Sequence, residues 1–207
     1  MKKTLKVIAL SAVVATLMSG CITATILRTK WASDEKKEIT SGKVFEVAQG
    51  TVVYSDGTIL SFKEHGKYIR IDHTNLNITI ITPEYAYECY YYKGTYARQE
   101  NTDGTFYYSN LSYVFPVEWF RWEKFADDLV DNQNHSEGTK YVADQKCISF
   151  TKDRYEVAGY KRIYMYKEED GTVLRRAMSF TSHCDADFNV PASYTKTSDK
   201  ITFDESF

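Results

Sequence analysis

The 207-residue chain holds only three prolines and ten glycines. That scarcity argues against long disordered or low-complexity stretches. Histidine is also rare, and His65, His73, His135 and His183 are scattered, with no pair at metal-ligand spacing. Structural metal sites need spaced, convergent ligands. His183-Cys184-Asp185 sets three potential ligands side by side, but neighbours on a strand point to opposite faces. No nucleophile with an orienting base and no pair of carboxylates stands out, so no catalytic residue, metal or cofactor is assigned and the chain reads as non-enzymatic. There is no basic block, which argues against a nucleic-acid partner. There is no internal repeat.

One apolar run is present, Leu5 to Leu17, preceded by Lys2, Lys3 and Lys6. It is too short to span a bilayer comfortably, which takes about 20 apolar residues. A charged start, an apolar middle and small residues before a cleavage point describe a secretory signal peptide, here residues 1–20. Removing it takes away three lysines and no acids, leaving 23 basic against 28 acidic side chains, a mature charge of −5. Leu17-Met18-Ser19-Gly20-Cys21 resembles a bacterial lipobox. That resemblance implies cleavage before Cys21 and lipid on its sulfur and new amino group. One acyl chain holds a protein only marginally, while two or three hold it firmly, at about 0.8 kcal/mol per buried methylene. Ile22 and Thr23 follow the cysteine. In enteric lipoproteins an aspartate at the next position favours the inner membrane, so its absence points to the outer membrane of a bacterial envelope. Residues 21–42 read as a polar tether, with a root-mean-square span of roughly 25 Å.

From Lys43 onward, apolar residues alternate with polar ones between turn pairs, the signature of an antiparallel meander. Asp56-Gly57, His65-Gly66 and Asp170-Gly171 are the clearest turns, since these residues tolerate positive φ. Tyr85, Tyr87, Cys89 and Tyr91 share one side of a strand, and Ala86, Glu88, Tyr90 and Tyr92 the other. A last strand is predicted over Lys200–Phe203. In the middle the period changes. After Pro116, Trp119, Trp122, Phe125, Ala126, Leu129 and Val130 fall on one helical stripe, predicting one amphipathic helix. The pattern gives nine to eleven strands and one helix, a mostly β (α+β) domain over residues 43–207.

Two segments sharpen this. Gly50-Thr51-Val52-Val53-Tyr54 followed by Gly66-Lys67-Tyr68-Ile69-Arg70-Ile71-Asp72, and Gly138 to Phe150 followed by the hairpin around Gly171, resemble strands of the lipoprotein-carrier superfamily of LolA, LolB and the LppX-type lipoproteins. Asp144 stands where that pattern often has glycine, and no clear helix precedes the first strand. The resemblance implies a single curved antiparallel sheet, an unclosed half-barrel, with the helix against its concave face. It further implies that the concavity holds a lipid, an acyl chain or an acylated protein. Trp119, Trp122, Phe125 and Leu129 from the helix, with Ile69, Ile71, Ile78 and Ile80 from the sheet, are the candidate contacts.

Three cysteines remain beyond Cys21, so at most one internal bridge forms. Cys147–Cys184 is the candidate, since both lie in the second hairpin block; the alternative is three free thiols. The seventeen tyrosines suit strands, and also suit a surface for a protein partner. The second functional reading is therefore an envelope lipoprotein with a solid core that binds a protein through a tyrosine-rich sheet face.

Overall fold

The computed structural model describes residues 44–101, 135–199 and 201, all within one compact unit, Thr40–Phe207. The signal and tether segments, Cys21 and the helical stripe of Trp119, Trp122, Phe125 and Leu129 lie outside the described residues.

The domain is mostly β. Among the described residues twelve strands follow in chain order: β1 Gly50–Tyr54, β2 Ile59–Lys63, β3 Tyr68–Asp72, β4 Ile78–Ile81, β5 Tyr85–Tyr90, β6 Thr95–Glu100, β7 His135–Val142, β8 Gln145–Lys152, β9 Tyr155–Tyr160, β10 Ile163–Glu169, β11 Thr172–Thr181 and β12 Thr195–Ser198. They form one unclosed sheet in the order β12-β6-β5-β4-β3-β2-β1-β11-β10-β9-β8-β7. Each half is a meander, and β11 joins them by pairing with both β1 and β10. The sheet is mixed, because β12 runs parallel to β6. Among the described residues the only helical pieces are two single 3₁₀ turns, Glu64–Gly66 and Tyr91–Lys93. The final strand among the described residues is Thr195–Ser198; apart from Ile201, the predicted strand Lys200–Phe203 lies outside the described residues.

The turns explain the register. At Asp56-Gly57 the Asp56 carboxylate accepts from the Thr58 amide at 3.0 Å, and Gly57 takes φ +88°. Asp170 and Gly171 both have positive φ, as a two-residue hairpin loop requires. The same loop is built at Ala143-Asp144 and at Lys161-Arg162, again with positive φ at both positions. Bulges at Val53/Tyr54, Tyr164/Tyr166 and Lys167/Glu168 add twist and bend the strands.

Strand pairing defines the two faces of the first half. One face carries Val52, Tyr54, Leu60, Phe62, Ile69, Ile71, Ile81, Ala86 and Ala97, all buried. Phe45, from the segment ahead of β1, packs its ring on Phe62 at 4.4 Å, and the cluster continues into Val142, Cys147, Val157, Ala158 and Ile163. The other face is crossed by residues 182–194 on their way from β11 to β12. Thr51 Oγ1 donates to His183 O at 3.1 Å, Arg70 Nη1 donates to Asp187 O at 2.8 Å, and Phe188 sets its ring edge-on to Tyr68 at 5.9 Å.

Gly50 sits at a close approach of three strands. A Cβ there would lie 2.9 Å from Phe62 Cζ, Phe180 Cε2 and the Thr181 carbonyl oxygen. The backbone oxygen belongs to the paired strand and cannot yield, so Gly50→Ala should cost about 1–3 kcal/mol by overpacking. Leu60→Ala, which opens a cavity at a fully buried position, should cost about 2–5 kcal/mol. Urea unfolding midpoints at constant m-value measure both, and a Leu60→Ala loss within error of zero would show that the inner face is not close-packed.

Candidate functional site

The four sheet isoleucines do not form one wall. Ile69 stands opposite Ile81, and Ile71 opposite Thr79, whereas Ile78 and Ile80 stand opposite Asp72 and Arg70. Because directly paired residues share a face, Ile69 and Ile71 lie on the core face while Ile78 and Ile80 lie on the face crossed by residues 182–194. Ile69, Ile71 and Ile80 are each 0% exposed. The alternation within each strand holds; the β3–β4 turn then places the two strands out of phase. Leu76 sits in that turn with φ +67°.

Cys89, Cys147 and Cys184 are all free and buried, so Cys147–Cys184 is not a disulfide. Cys147 belongs to the interior cluster on β8, whereas Cys184 lies on the crossing segment. Belonging to the same run of sequence did not bring them together. Burial pushes the Cys89 thiol up to about 12 and that of Cys147 up to about 11, which leaves both inert as nucleophiles. Among the described residues no group of histidine, cysteine and carboxylate side chains could hold a metal ion.

The core face carries one polar chain that sequence reading did not single out. Glu88 and Thr79 are paired across β4 and β5 and both are buried. Thr79 Oγ1 donates to Glu88 Oε2 at 2.5 Å, and His73 Nε2 lies 3.1 Å from the same hydroxyl. With Glu88 ionised, the threonine proton is spent on the carboxylate and its oxygen accepts from a neutral His73. Burial pushes the Glu88 carboxyl up to about 7, against the Thr79 hydrogen bond. Burial pushes His73 down to about 4, against the Asp72 charge. The available signal in the sequence was a glutamate on the Ala86–Tyr90 side of a strand whose opposite side is aromatic; nothing in it shows which side turns inward.

Two surface features stand apart from the interior. On the outer face of β5 and β6, Tyr85, Tyr87 and Tyr96 form a row with ring centroids 5.9 and 6.0 Å apart, and Arg98 lies over Tyr85 at 4.6 Å. The turn beyond β5 carries Tyr91 and Tyr92, 52% and 82% exposed, ring edge to face at 5.4 Å. The second feature is an open groove of about 900 Å³ between residues 186–189 and the β2–β3 turn, floored by Tyr68 and walled by Phe188. Lys63 Nζ stands 5.3 Å from the Phe188 ring.

No family model matches the sequence, and no curated protein matches it. Among solved structures, the chain is similar to an uncharacterized conserved protein from Thermus thermophilus at 11% identity and TM-score 0.42, over 79% of this chain and 99% of that one. A likeness at that score carries no argument.

The buried glutamate makes stability pH-dependent. Below pH 4.5 Glu88 is protonated in both states and exerts no effect. As pH rises toward 7 the unfolded chain ionises first, so stability is lost, on the order of 3 kcal/mol in all. His73 works oppositely: as pH falls from 6.5 to about 4, the unfolded chain takes up the proton first and stability is lost on the acid side. Glu88→Gln removes only the first effect. Its stability relative to the parent should therefore climb between pH 4.5 and 7 and level off above. Denaturant titrations at several pH values check this, and a difference that stays constant with pH would refute it.

Proposed function

We propose that this protein is a lipid-anchored, non-enzymatic binding protein of the bacterial cell envelope that engages a protein partner through the tyrosine-rich surface of β5 and β6. The observation that carries the reading is the contrast between the two sides of that region. The described core-face side chains are buried, while Tyr91 and Tyr92 stand in solvent next to the Tyr85–Tyr87–Tyr96 row. Tyrosine brings large contact area with few rotatable bonds and a polar tip, which is why it is enriched at interfaces. Anchoring at Cys21, in the outer membrane, follows from the lipobox resemblance and supplies the envelope setting.

The carrier alternative places a lipid, acyl chain or acylated protein against Trp119, Trp122, Phe125 and Leu129. Its sheet-side wall would have to form from one face only, since Ile69 and Ile71 lie on the core face and Ile78 and Ile80 on the opposite one.

Anchoring has a direct test. Cys21→Ser should abolish incorporation of labelled palmitate and move the chain from the membrane fraction to the soluble one; persistent labelling would place the lipid elsewhere. The binding surface is tested with the full chain carrying a photo-crosslinking residue at position 92. A single discrete protein adduct in cells, lost in Tyr91→Ser, supports the partner reading. Lipid retained through purification in native mass spectrometry, with no adduct, would replace it with the carrier reading.

A further inference from the structure

The groove beside residues 186–189 has a built wall. Glu64, His65 and Gly66 follow one another with φ of +50°, +59° and +93°. Left-handed backbone at two successive residues with side chains, followed by a glycine, persists only where surrounding structure enforces it. Here the His65 carbonyl accepts from the Val44 and Phe45 amides at 2.7 and 2.8 Å, the His65 amide donates to Ala48 O at 2.8 Å, and the His65 ring meets Phe45 O at 3.1 Å. A Cβ on Gly66 would lie 2.7 Å from that of Val44. The strained turn is thus clamped from behind, and Glu64 and His65 line the groove.

The chemistry of the lining selects a ligand class. Lys63 and Lys67 are matched by Glu64 and Asp187, and Lys67 and Glu64 pair at 3.4 Å. Two cations against two anions leave no net field to draw a phosphate or a polycation. The polar rim, including Gln49 and Asn189, is wrong for an acyl chain, because polar groups so covered would lose their water. What remains is an aromatic corner, Tyr68 against Phe188, bordered by planar amide and carboxylate groups. Aliphatic C–H faces stack on such rings while hydroxyls exchange hydrogen bonds with such borders. The volume, about 900 Å³, lies within the roughly 300–1,000 Å³ of small-molecule sites. We propose that this groove binds a neutral oligosaccharide, its sugar rings against Tyr68 and Phe188 and its hydroxyls on Gln49, Glu64 and Asn189. This site is separate from the tyrosine surface of β5 and β6 and does not rest on the partner reading.

The test uses the full chain in detergent with two probes, chitotetraose and maltotetraose, followed by saturation-transfer NMR and calorimetry. At least one probe should receive transfer on its C–H protons from the aromatic rings. Phe188→Ala and Gln49→Ala should each weaken binding by about tenfold or more at unchanged melting temperature, and Tyr92→Ser should leave it unchanged. Gln49 Nε2 also donates to Ser182 O on the crossing segment at 3.3 Å; should either variant lower the melting temperature, Tyr68→Leu, which removes the stacking ring on β3, decides. Absence of transfer to both probes at millimolar concentration overturns the proposal. So does binding that survives Gln49→Ala intact, or displacement of the sugar by equimolar inorganic phosphate.

Discussion

The crossing of the sheet by residues 182–194 is the constraint on which the rest depends. β11 lies beside β1, and β12 lies beside β6 at the far edge. Seven inter-strand steps of about 4.8 Å separate them, roughly 34 Å. Thirteen residues reach at most about 45 Å fully extended. The segment therefore has limited slack and must run across one face, with room only for local bends at Asp187–Asn189 and Pro191–Tyr194. It is fastened at Thr51, Arg70 and Tyr68. The first half of the sheet thus has two covered faces, as Ile80 and Cys89 on one and Ile69 and Ile71 on the other record. The same crossing creates the groove, because Phe188 is brought against Tyr68.

Two-sided burial also explains why polar groups end up inside. Strand β5 presents Ala86 and Glu88 to the core and Cys89 to the crossing segment. With neither face left to water at that point, the glutamate takes its partner from within, the Thr79 hydroxyl, which in turn meets His73. A buried carboxyl satisfied by one neutral hydroxyl keeps its proton to near neutral pH, because desolvation of the anion outweighs a single hydrogen bond. Arg70 shows the opposite solution on the other face: its guanidinium grips both Asp72 oxygens and donates to Asp187 O, joining sheet and crossing segment through a charge-assisted pair.

How much was legible in the sequence differs by element. The meanders were legible because period-two alternation and Asp-Gly turns are local signals, and Asp56-Gly57 and Asp170-Gly171 lie where they were expected. The loops at Ala143-Asp144 and Lys161-Arg162 carry no glycine or asparagine, so their left-handed backbone is held by strand pairing around them rather than announced by composition. Of the sites, the tyrosine strand was legible by side, Tyr85 with Tyr87 and Cys89. The grouping of Ile69 and Ile71 with Ile78 and Ile80 failed because alternation defines faces within a strand and says nothing of phase between strands. The Glu64–Gly66 clamp left no signal beyond His65-Gly66, since its cause lies in the backbone of residues 44–48.

By itself, the sequence determined that the described domain is mostly β and where most of its strands begin and end. Those properties depend on neighbours a few residues apart. The tertiary structure alone decided which side of each strand is interior, that Cys147 and Cys184 stay apart, that β12 joins β6 in parallel, and that a groove opens beside Phe188. Each of these is a meeting of residues tens to more than a hundred positions apart, set by strand order and by the path of one connection, and no local pattern encodes such a meeting.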